Sequence, residues 1–248
     1  MVALRIRPGV PNKHALGAVA AHFGRYSRPR FMSTTPKLSA DVQKSQSEES
    51  NSQPKRRYIL SKEQREYLDS ALRVNQAGEL AAVLIYEAQK PPIVRSHPHL
   101  RPLMKHMYDQ EAQHFATFNH LVAKHEVRPT VMSPVWKLAA TFLGWSTAIM
   151  GREAAMACTE AVETEIGEHY NDQIRTILGW MEEAKSRGEE VDDELRDLVA
   201  LLRKTRDEEL EHLDHAVEND SKEARPYDPL VNVIRYGCRA AIKISERI

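Results

Sequence analysis

Two short motifs each occur twice in this chain of 248 residues, in the same order and at similar spacing. The pattern Asp-x-Glu-x-x-His ends at His114 and again at His212, 98 positions later. The pattern Glu-x6-Tyr-x2-Gln begins at Glu79 and again at Glu163, 84 positions later. The difference of 14 residues falls in the loop around SRGEEVDD. The repetition predicts two copies of a helix pair, each carrying one isolated Glu and then one Glu-x-x-His.

The repeated motifs predict a buried metal centre. Residues three apart on an α-helix point to one side, so each Glu-x-x-His presents a carboxylate and an imidazole together. If the four helices pack with these sides inward, four carboxylates would be driven to protonate unless two divalent cations supply the missing charge. The ferritin-like di-iron bundles use this ligand set; its oxygen and nitrogen donors suit iron or manganese, and open positions for dioxygen favour iron. The predicted ligands are Glu79, Glu111, His114, Glu163, Glu209 and His212.

Other acidic residues near the motifs leave some assignments open. The segment CTEAVETEIGEHY offers Glu160, Glu163, Glu165 and Glu168. Register with the first copy selects Glu163. Glu208 and Glu211 are expected to face solvent. Asp109 and Asp207 are candidates to orient the ligand histidines, but such bonds would have to cross between helices, because a position five before a His lies off its face.

Prolines, glycines and helix caps divide the rest of the sequence into helices. Scarce Gly and abundant Ala, Leu, Glu, Lys and Arg favour helix over strand. Ser61 is expected to cap a first helix that stops at Pro91 and Pro92. The sequence predicts an all-α fold: a ferritin-like four-helix bundle made of two helix-pair repeats, with two further helices.

The two further helices bear on membrane contact. Between Pro134 and Gly151 the only charge is Lys137; this stretch is marginal for spanning a bilayer, so an interfacial or buried helix fits better. The last helix carries cations opposite an apolar side, which is typical of helices on anionic membrane surfaces. The cations are Arg235, Arg239, Lys243 and Arg247. The alternative is that both helices simply complete the core.

The N-terminal residues are basic, whereas the remainder is acidic. Seven basic and no acidic residues precede Asp41, which is typical of a mitochondrial transit peptide, here placed at residues 1–32. Polar residues 33–57 are expected to form a disordered linker, and residues 58–248 to form the folded domain. From Tyr58 onward acidic residues outnumber basic ones by eight, which argues against nucleic-acid binding. Cys158 and Cys238 are the only cysteines, which excludes a disulfide scaffold or a cysteine zinc site.

Several segments between Ala71 and Ile248 resemble the demethoxyubiquinone hydroxylases of ubiquinone biosynthesis. They are RVNQAGELAAVLIY, MYDQEAQHF, GREAAMACTEAVETEIGEHYNDQIRTIL, RDEELEHLDH and GCRAAIKISERI. The loop from Gly188 to Asp193 looks longer than in that family. The resemblance implies that the six ligands hold two irons and that dioxygen hydroxylates the ring of a polyprenylated demethoxyubiquinone in the penultimate step of the pathway.

The same resemblance implies an electron source, a relay and a location. NADH is expected to supply electrons through the quinone, with His169 and Tyr170 as the relay. The enzyme is expected on the matrix side of the inner mitochondrial membrane, as a peripheral protein with a lipid-binding accessory partner. The sequence contains no glycine-rich dinucleotide motif, in agreement with a chain that lacks a separate nicotinamide domain.

Three other functions fit parts of the pattern. A ferritin-like iron store or peroxide-consuming enzyme would use the same ligands without a surface that faces lipid. A di-iron quinol oxidase would reduce oxygen without hydroxylating the ring. A helical adaptor would use its acidic faces to bind a basic partner and would hold no iron.

Overall fold

The computed structural model describes residues 56–248, and six α-helices form most of this part. They are α1 (Lys62–Ser96), α2 (Arg101–Lys124), α3 (Ser133–Met150), α4 (Arg152–Ser186), α5 (Asp193–Glu218) and α6 (Tyr227–Ser245). The strands β1 (Arg56–Arg57) and β2 (Glu189–Glu190) pair in parallel. The predicted transit peptide, residues 1–32, lies outside the described residues. So does the predicted linker, residues 33–57, apart from its last two residues, which form β1.

The bundle consists of two helix pairs. Helix α1 packs against α2 and α4 packs against α5, so the predicted all-α bundle is confirmed. The third helix of each half lies on the first helix of that half: α3 on α1, and α6 on α4. The chain therefore repeats three helices rather than two.

Helix α1 begins where the sequence predicts but ends later than predicted. Ser61 Oγ accepts a hydrogen bond from Gln64 N at 3.2 Å, and Gln64 Oε1 accepts one from Ser61 N at 2.9 Å, which together form a capping box. The predicted stop at Pro91 and Pro92 is wrong, because the helix continues to Ser96. The next turn, Ile93 and Val94, is buried in the core, and this packing outweighs the two hydrogen bonds that the prolines cannot donate.

A layer of polar side chains crosses the bundle between two apolar clusters. One cluster contains Phe118 and Tyr170, whose rings stack with centroids 5.9 Å apart. The other contains Met104, Met107 and Met156, all fully buried. Full burial of one such side chain stabilises the fold by about 1.5–3 kcal/mol, so the clusters can offset the cost of the buried polar layer between them.

Helix α3 buries its small residues and exposes its large ones. Ala140, Gly144 and Ala148 face the bundle. A Cβ atom on Gly144 would lie only 2.8 Å from Ile85 Cα, so α3 can approach α1 this closely only with glycine there. The exposed large apolar residues follow every third or fourth position: Val135, Leu138, Phe142, Trp145 and Ile149. This pattern is the reverse of core packing and disfavours the alternative that α3 merely completes the core.

Helix α6 also exposes apolar residues, and two of its cations are paired within the fold. Val233 and Tyr236 are 71% and 67% exposed. Arg235 and Arg239 do not project freely from the outer face, because both donate to the buried carboxylate of Glu165 on α4. Two of the four cations of the predicted basic side are therefore already paired with a carboxylate of the bundle. Among the helices described, none has the length and apolar character needed to cross a bilayer.

Candidate metal centre

The polar layer brings the six predicted ligands together. One comes from α1, two from α2, one from α4 and two from α5, and each is at most 5% exposed. They form two overlapping groups whose ligand atoms lie within 4.8 Å of one another. The first group is Glu79, Glu111, His114 and Glu209, and the second is Glu111, Glu163, Glu209 and His212. Glu111 and Glu209 belong to both groups, so they are placed to bridge two cations.

The six residues carry buried polar atoms that lack hydrogen-bond partners. These atoms include the Nδ1 atoms of His114 and His212 and at least one carboxylate oxygen of each glutamate. The two Nδ1 atoms lie 3.0 Å from Glu209 Oε1 and 2.9 Å from Glu111 Oε1, close enough for attraction between charges but without hydrogen-bond geometry. Leaving a buried acceptor unpaired costs about 1–3 kcal/mol, and a charged one costs more. Cations that coordinate these oxygens and nitrogens would remove the cost, so the residues fit a dinuclear metal centre.

The pKa values describe a cluster that shares protons when it holds no metal. Burial and the neighbouring carboxylates raise the pKa of Glu111 and Glu163 well above the ordinary value. Burial would also raise the pKa of Glu209, but contacts from His114 and His212 overcome it and hold that pKa at about 2. Burial opposes charge on His114, yet Glu209 and Glu79 raise its pKa to about 12. Divalent cations would replace the protons on these groups.

Two residues outside the six predicted ligands hold the ligand histidines in place. His114 Nε2 lies 2.8 Å from Glu208 Oε2, and His212 Nε2 lies 2.9 Å from Gln110 Oε1. A carboxylate only accepts, so His114 Nε2–H donates to Glu208 and leaves the Nδ1 lone pair for a metal.

Glu208 was expected to face solvent, and that prediction is wrong, because the side chain crosses from α5 to α2. Gln110 and Glu208 each immediately precede a predicted ligand Glu and lie 98 positions apart, so the repeat could have identified them. Asp109 instead pairs with Lys105, and Asp207 with Arg206; neither of these contacts reaches a ligand histidine. Glu211 is exposed, as predicted.

The tyrosine of each repeat contacts the isolated glutamate of the other. Tyr86 donates to Glu163 Oε1 at 3.0 Å, and Tyr170 donates to Glu79 Oε1. Burial raises the pKa of both phenols well above the ordinary value, so they remain protonated donors. Each tyrosine thereby fixes one carboxylate oxygen and leaves the other directed into the candidate metal centre.

Helix α4 separates its four candidate glutamates. Glu163 faces the candidate metal centre. Glu160 accepts from Ser221 at 2.6 Å and anchors the turn between α5 and α6, while Glu165 binds the two arginines of α6. Glu168 is exposed. The repeat register therefore selects the glutamate that points inward.

His169 and Tyr170 are neighbours in sequence but face different spaces. Tyr170 reaches Glu79, whereas His169 lines an outer cavity of about 740 Å³ together with Tyr67, Asp172 and Glu246. Burial lowers the pKa of His169 to about 4, so its imidazole is neutral at physiological pH. Its buried Nε2 has no hydrogen-bond partner among residues 56–248. The pair therefore extends from the outer cavity to a predicted metal ligand.

Comparison with known proteins identifies relatives over most of the chain. The family model for ubiquinone biosynthesis protein COQ7 matches residues 66–245. The chain is 45% identical over 190 residues, 76% of its own length and 82% of the relative's, to the Saccharomyces cerevisiae protein named 5-demethoxyubiquinone hydroxylase, mitochondrial.

Human and bacterial relatives are also similar. The human protein named NADPH-dependent 3-demethoxyubiquinone 3-hydroxylase, mitochondrial, is 41% identical over 181 residues, 73% of this chain and 78% of the relative. The Rhodospirillum rubrum protein named 3-demethoxyubiquinol 3-hydroxylase is 41% identical over 181 residues, again 73% of this chain and 78% of the relative. The human name specifies NADPH, whereas the sequence resemblance implied NADH.

Proposed function

The chain belongs to the family of ubiquinone biosynthesis protein COQ7, and from that premise we propose that it is a di-iron monooxygenase that hydroxylates the ring of a polyprenylated demethoxyubiquinone. The reaction consumes one dioxygen, two electrons and two protons; one oxygen atom enters the ring as a hydroxyl group and the other leaves as water. The observation that carries the proposal is the buried group of four glutamates and two histidines, whose inward atoms lack partners.

The six predicted ligands would bind two irons as follows. Glu79 and His114 would bind one ion, Glu163 and His212 the other, and Glu111 and Glu209 would bridge them. When bound, two irons supply the activation of dioxygen and the two-electron oxidation of the ring. The side chains that hydrogen-bond to the ligands hold those ligands in one orientation before the substrate arrives. Less reorganisation of the ligands is then needed during the reaction.

We propose that electrons come from a reduced nicotinamide through the quinone, with His169 and Tyr170 as the relay. The outer cavity beside His169 and the bond from Tyr170 to Glu79 support this path. NADPH, named for the human relative, and NADH, implied by the sequence resemblance, are both candidates. Comparison of turnover with the two donors at equal concentration distinguishes them.

We propose a peripheral location on the matrix side of the inner mitochondrial membrane, after removal of residues 1–32 as a transit peptide. The mitochondrial names of the yeast and human relatives and the exposed apolar residues of α3 support it. A substrate with a long isoprenoid tail stays in the bilayer, so the enzyme must reach it there, with help from a lipid-binding accessory protein.

The central test is product analysis with purified, iron-reconstituted protein, a demethoxyubiquinone with a short tail, a reduced nicotinamide and ¹⁸O₂. We expect one labelled oxygen in the ring hydroxyl. Glu163→Ala should abolish turnover, whereas Glu182→Ala, an exposed position on the same helix, should not. Oxygen consumption without a hydroxylated ring would identify a quinol oxidase instead, and absence of bound iron would favour an adaptor.

A cellular test checks substrate and site together. Cells that lack the protein should accumulate the demethoxy precursor, and the wild-type chain should restore ubiquinone where Glu163→Ala does not. Normal ubiquinone content in those cells would reject the proposed function.

A further inference from the structure

A second group of metal-ligating side chains lies at the surface, beside the buried centre but separate from it. It consists of His106 on α2 and of Glu211 and His215 on α5. One ligand atom from each residue lies within 4.8 Å of the other two. The side chains of His106, Glu211 and His215 are 48%, 49% and 28% exposed, so an ion can reach them from solvent.

We propose that these three residues bind a Zn²⁺ ion. His106 Nε2 lies 3.7 Å from Glu211 Oε1, and His215 Nε2 lies 3.5 Å from the same oxygen. These separations are too long for good hydrogen bonds. They are close to the separation of about 3.4 Å between ligands around a tetrahedral zinc with bonds of about 2.0–2.1 Å. Two imidazoles and one glutamate, with a water in the fourth position, form a known zinc ligand set.

The surrounding structure prepares the three ligands for a cation. Glu211 and His215 are four residues apart on α5 and therefore share a face of the helix. His215 Nε2 is the ring nitrogen that faces Glu211, whereas Nδ1 lies 3.6 Å from Glu218 Oε2, too far for a hydrogen bond. His215 also lies in the last turn of α5, where the free backbone carbonyls favour positive charge.

A zinc ion here would join the two halves of the bundle. Helices α2 and α5 carry the two Glu-x-x-His pairs, and His106 would be linked to His215 across them. Because the ligands meet only in the folded chain, zinc should stabilise the native state by mass action. The site shares no ligand with the buried centre and does not depend on the proposed hydroxylase activity.

The test is a calorimetric titration of the full chain with ZnCl₂ after iron reconstitution, with iron content measured before and after. We expect one zinc per chain bound without loss of iron, and a higher melting temperature at saturating zinc. His106→Ala and His215→Ala should each weaken zinc binding by at least about tenfold, since loss of an outer-sphere partner alone costs about 10–100-fold. His120→Ala, an exposed histidine on α2, is the matched control and should bind zinc as the wild type does.

Specific outcomes would overturn the surface site. If zinc binds with the same stoichiometry and affinity to His106→Ala, His215→Ala and wild type, these residues are not its ligands. Zinc uptake only in exchange for iron would likewise overturn the proposal. If zinc also enters the buried centre, the His106→Ala variant separates the two sites: it should bind one zinc fewer per chain than the wild type. An equal number of bound zinc ions in the two proteins would overturn the proposal. Glu211→Gln provides an independent variant with little change in shape.

Discussion

The two halves of the bundle present the same types of predicted ligand to the candidate metal centre but support them differently. In the first half, His114 donates to the carboxylate of Glu208; in the second, His212 donates to the amide oxygen of Gln110. A carboxylate attracts the Nε2 proton more strongly than an amide oxygen does, and this makes Nδ1 a stronger electron-pair donor to a metal ion. Matching motifs therefore produce two candidate metal positions whose histidines have chemically different partners.

The third helices also differ. Helix α3 lies on α1 through small residues and exposes an uncharged apolar stripe. Helix α6 is tied to α4 by Arg235 and Arg239, which neutralise the buried Glu165. Burial opposes charge on Glu165, but the paired arginines outweigh it and hold the pKa of that carboxyl below its usual value. Equivalent helices of the two halves therefore differ: α3 exposes an apolar stripe, whereas α6 is held to α4 by ion pairs.

The largest expected effect is loss of bound iron, which should differ between ligands that belong to both groups of the centre and ligands that belong to one. Glu209→Ala should remove both irons, because this carboxylate belongs to both groups, whereas Glu163→Ala should chiefly remove the ion at its own position. Iron per chain after anaerobic reconstitution measures the difference, and Glu182→Ala serves as control. Equal iron loss in the two ligand variants would show that the positions fill only together.

Exchanging the outer partners tests the inequality of the two metal positions. Glu208→Gln should weaken iron binding at the His114 position by about 10–100-fold, and Gln110→Glu should strengthen it at the His212 position. Mössbauer spectra of the diferrous protein should show two distinct irons in the wild type and more similar ones in either variant. Unchanged spectra in both variants would contradict this account.

Substitutions on α3 and α6 test the assignment of membrane contact. Leu138→Ser combined with Phe142→Ser should weaken binding to lipid vesicles at least roughly tenfold, because two large apolar side chains are lost from the exposed stripe. Arg235→Gln with Arg239→Gln should instead lower the free energy of unfolding, since Glu165 loses its partners, and should leave vesicle affinity unchanged. Vesicle flotation and denaturant titration separate the outcomes. If the arginine variant loses vesicle affinity as strongly, α6 binds lipid through its cations.

The smallest expected effect distinguishes a glycine of α3 from one of α6. A Cβ atom added to Gly237 on α6 would meet no other atom within 4 Å, so Gly237→Ala should raise the free energy of unfolding by about 0.5–1 kcal/mol. Gly144→Ala on α3 should lower it, because the added Cβ meets the Ile85 backbone. Denaturant titration of both variants gives the sign of each change. Stabilisation by Gly144→Ala would show that α3 can move away from α1.

The sequence repeat predicted the inward-facing residues of the site more completely than the residues that hydrogen-bond to them. Residues such as Glu163 and His212 recur at fixed spacing on one helical face, which is a property of the sequence that helix geometry turns into position. The crossed contacts of Glu208 and Gln110 depend on how α2 and α5 lie against each other, and this follows from no single helix. Glu208 was misassigned because it was judged within its own helix.

The sequence by itself determined the all-α fold, the duplicated helix pair and the inward face of each helix, because local periodicity specifies which side chains share a side. Tertiary structure alone decided which side chains of one half contact the ligands of the other half. It carried α1 past Pro91 by burying Ile93, turned the large residues of α3 outward and directed Arg235 to Glu165. These outcomes depend on packing and charge pairing between residues far apart in the chain, where the free-energy gain of the whole arrangement outweighs the local preference of any one residue.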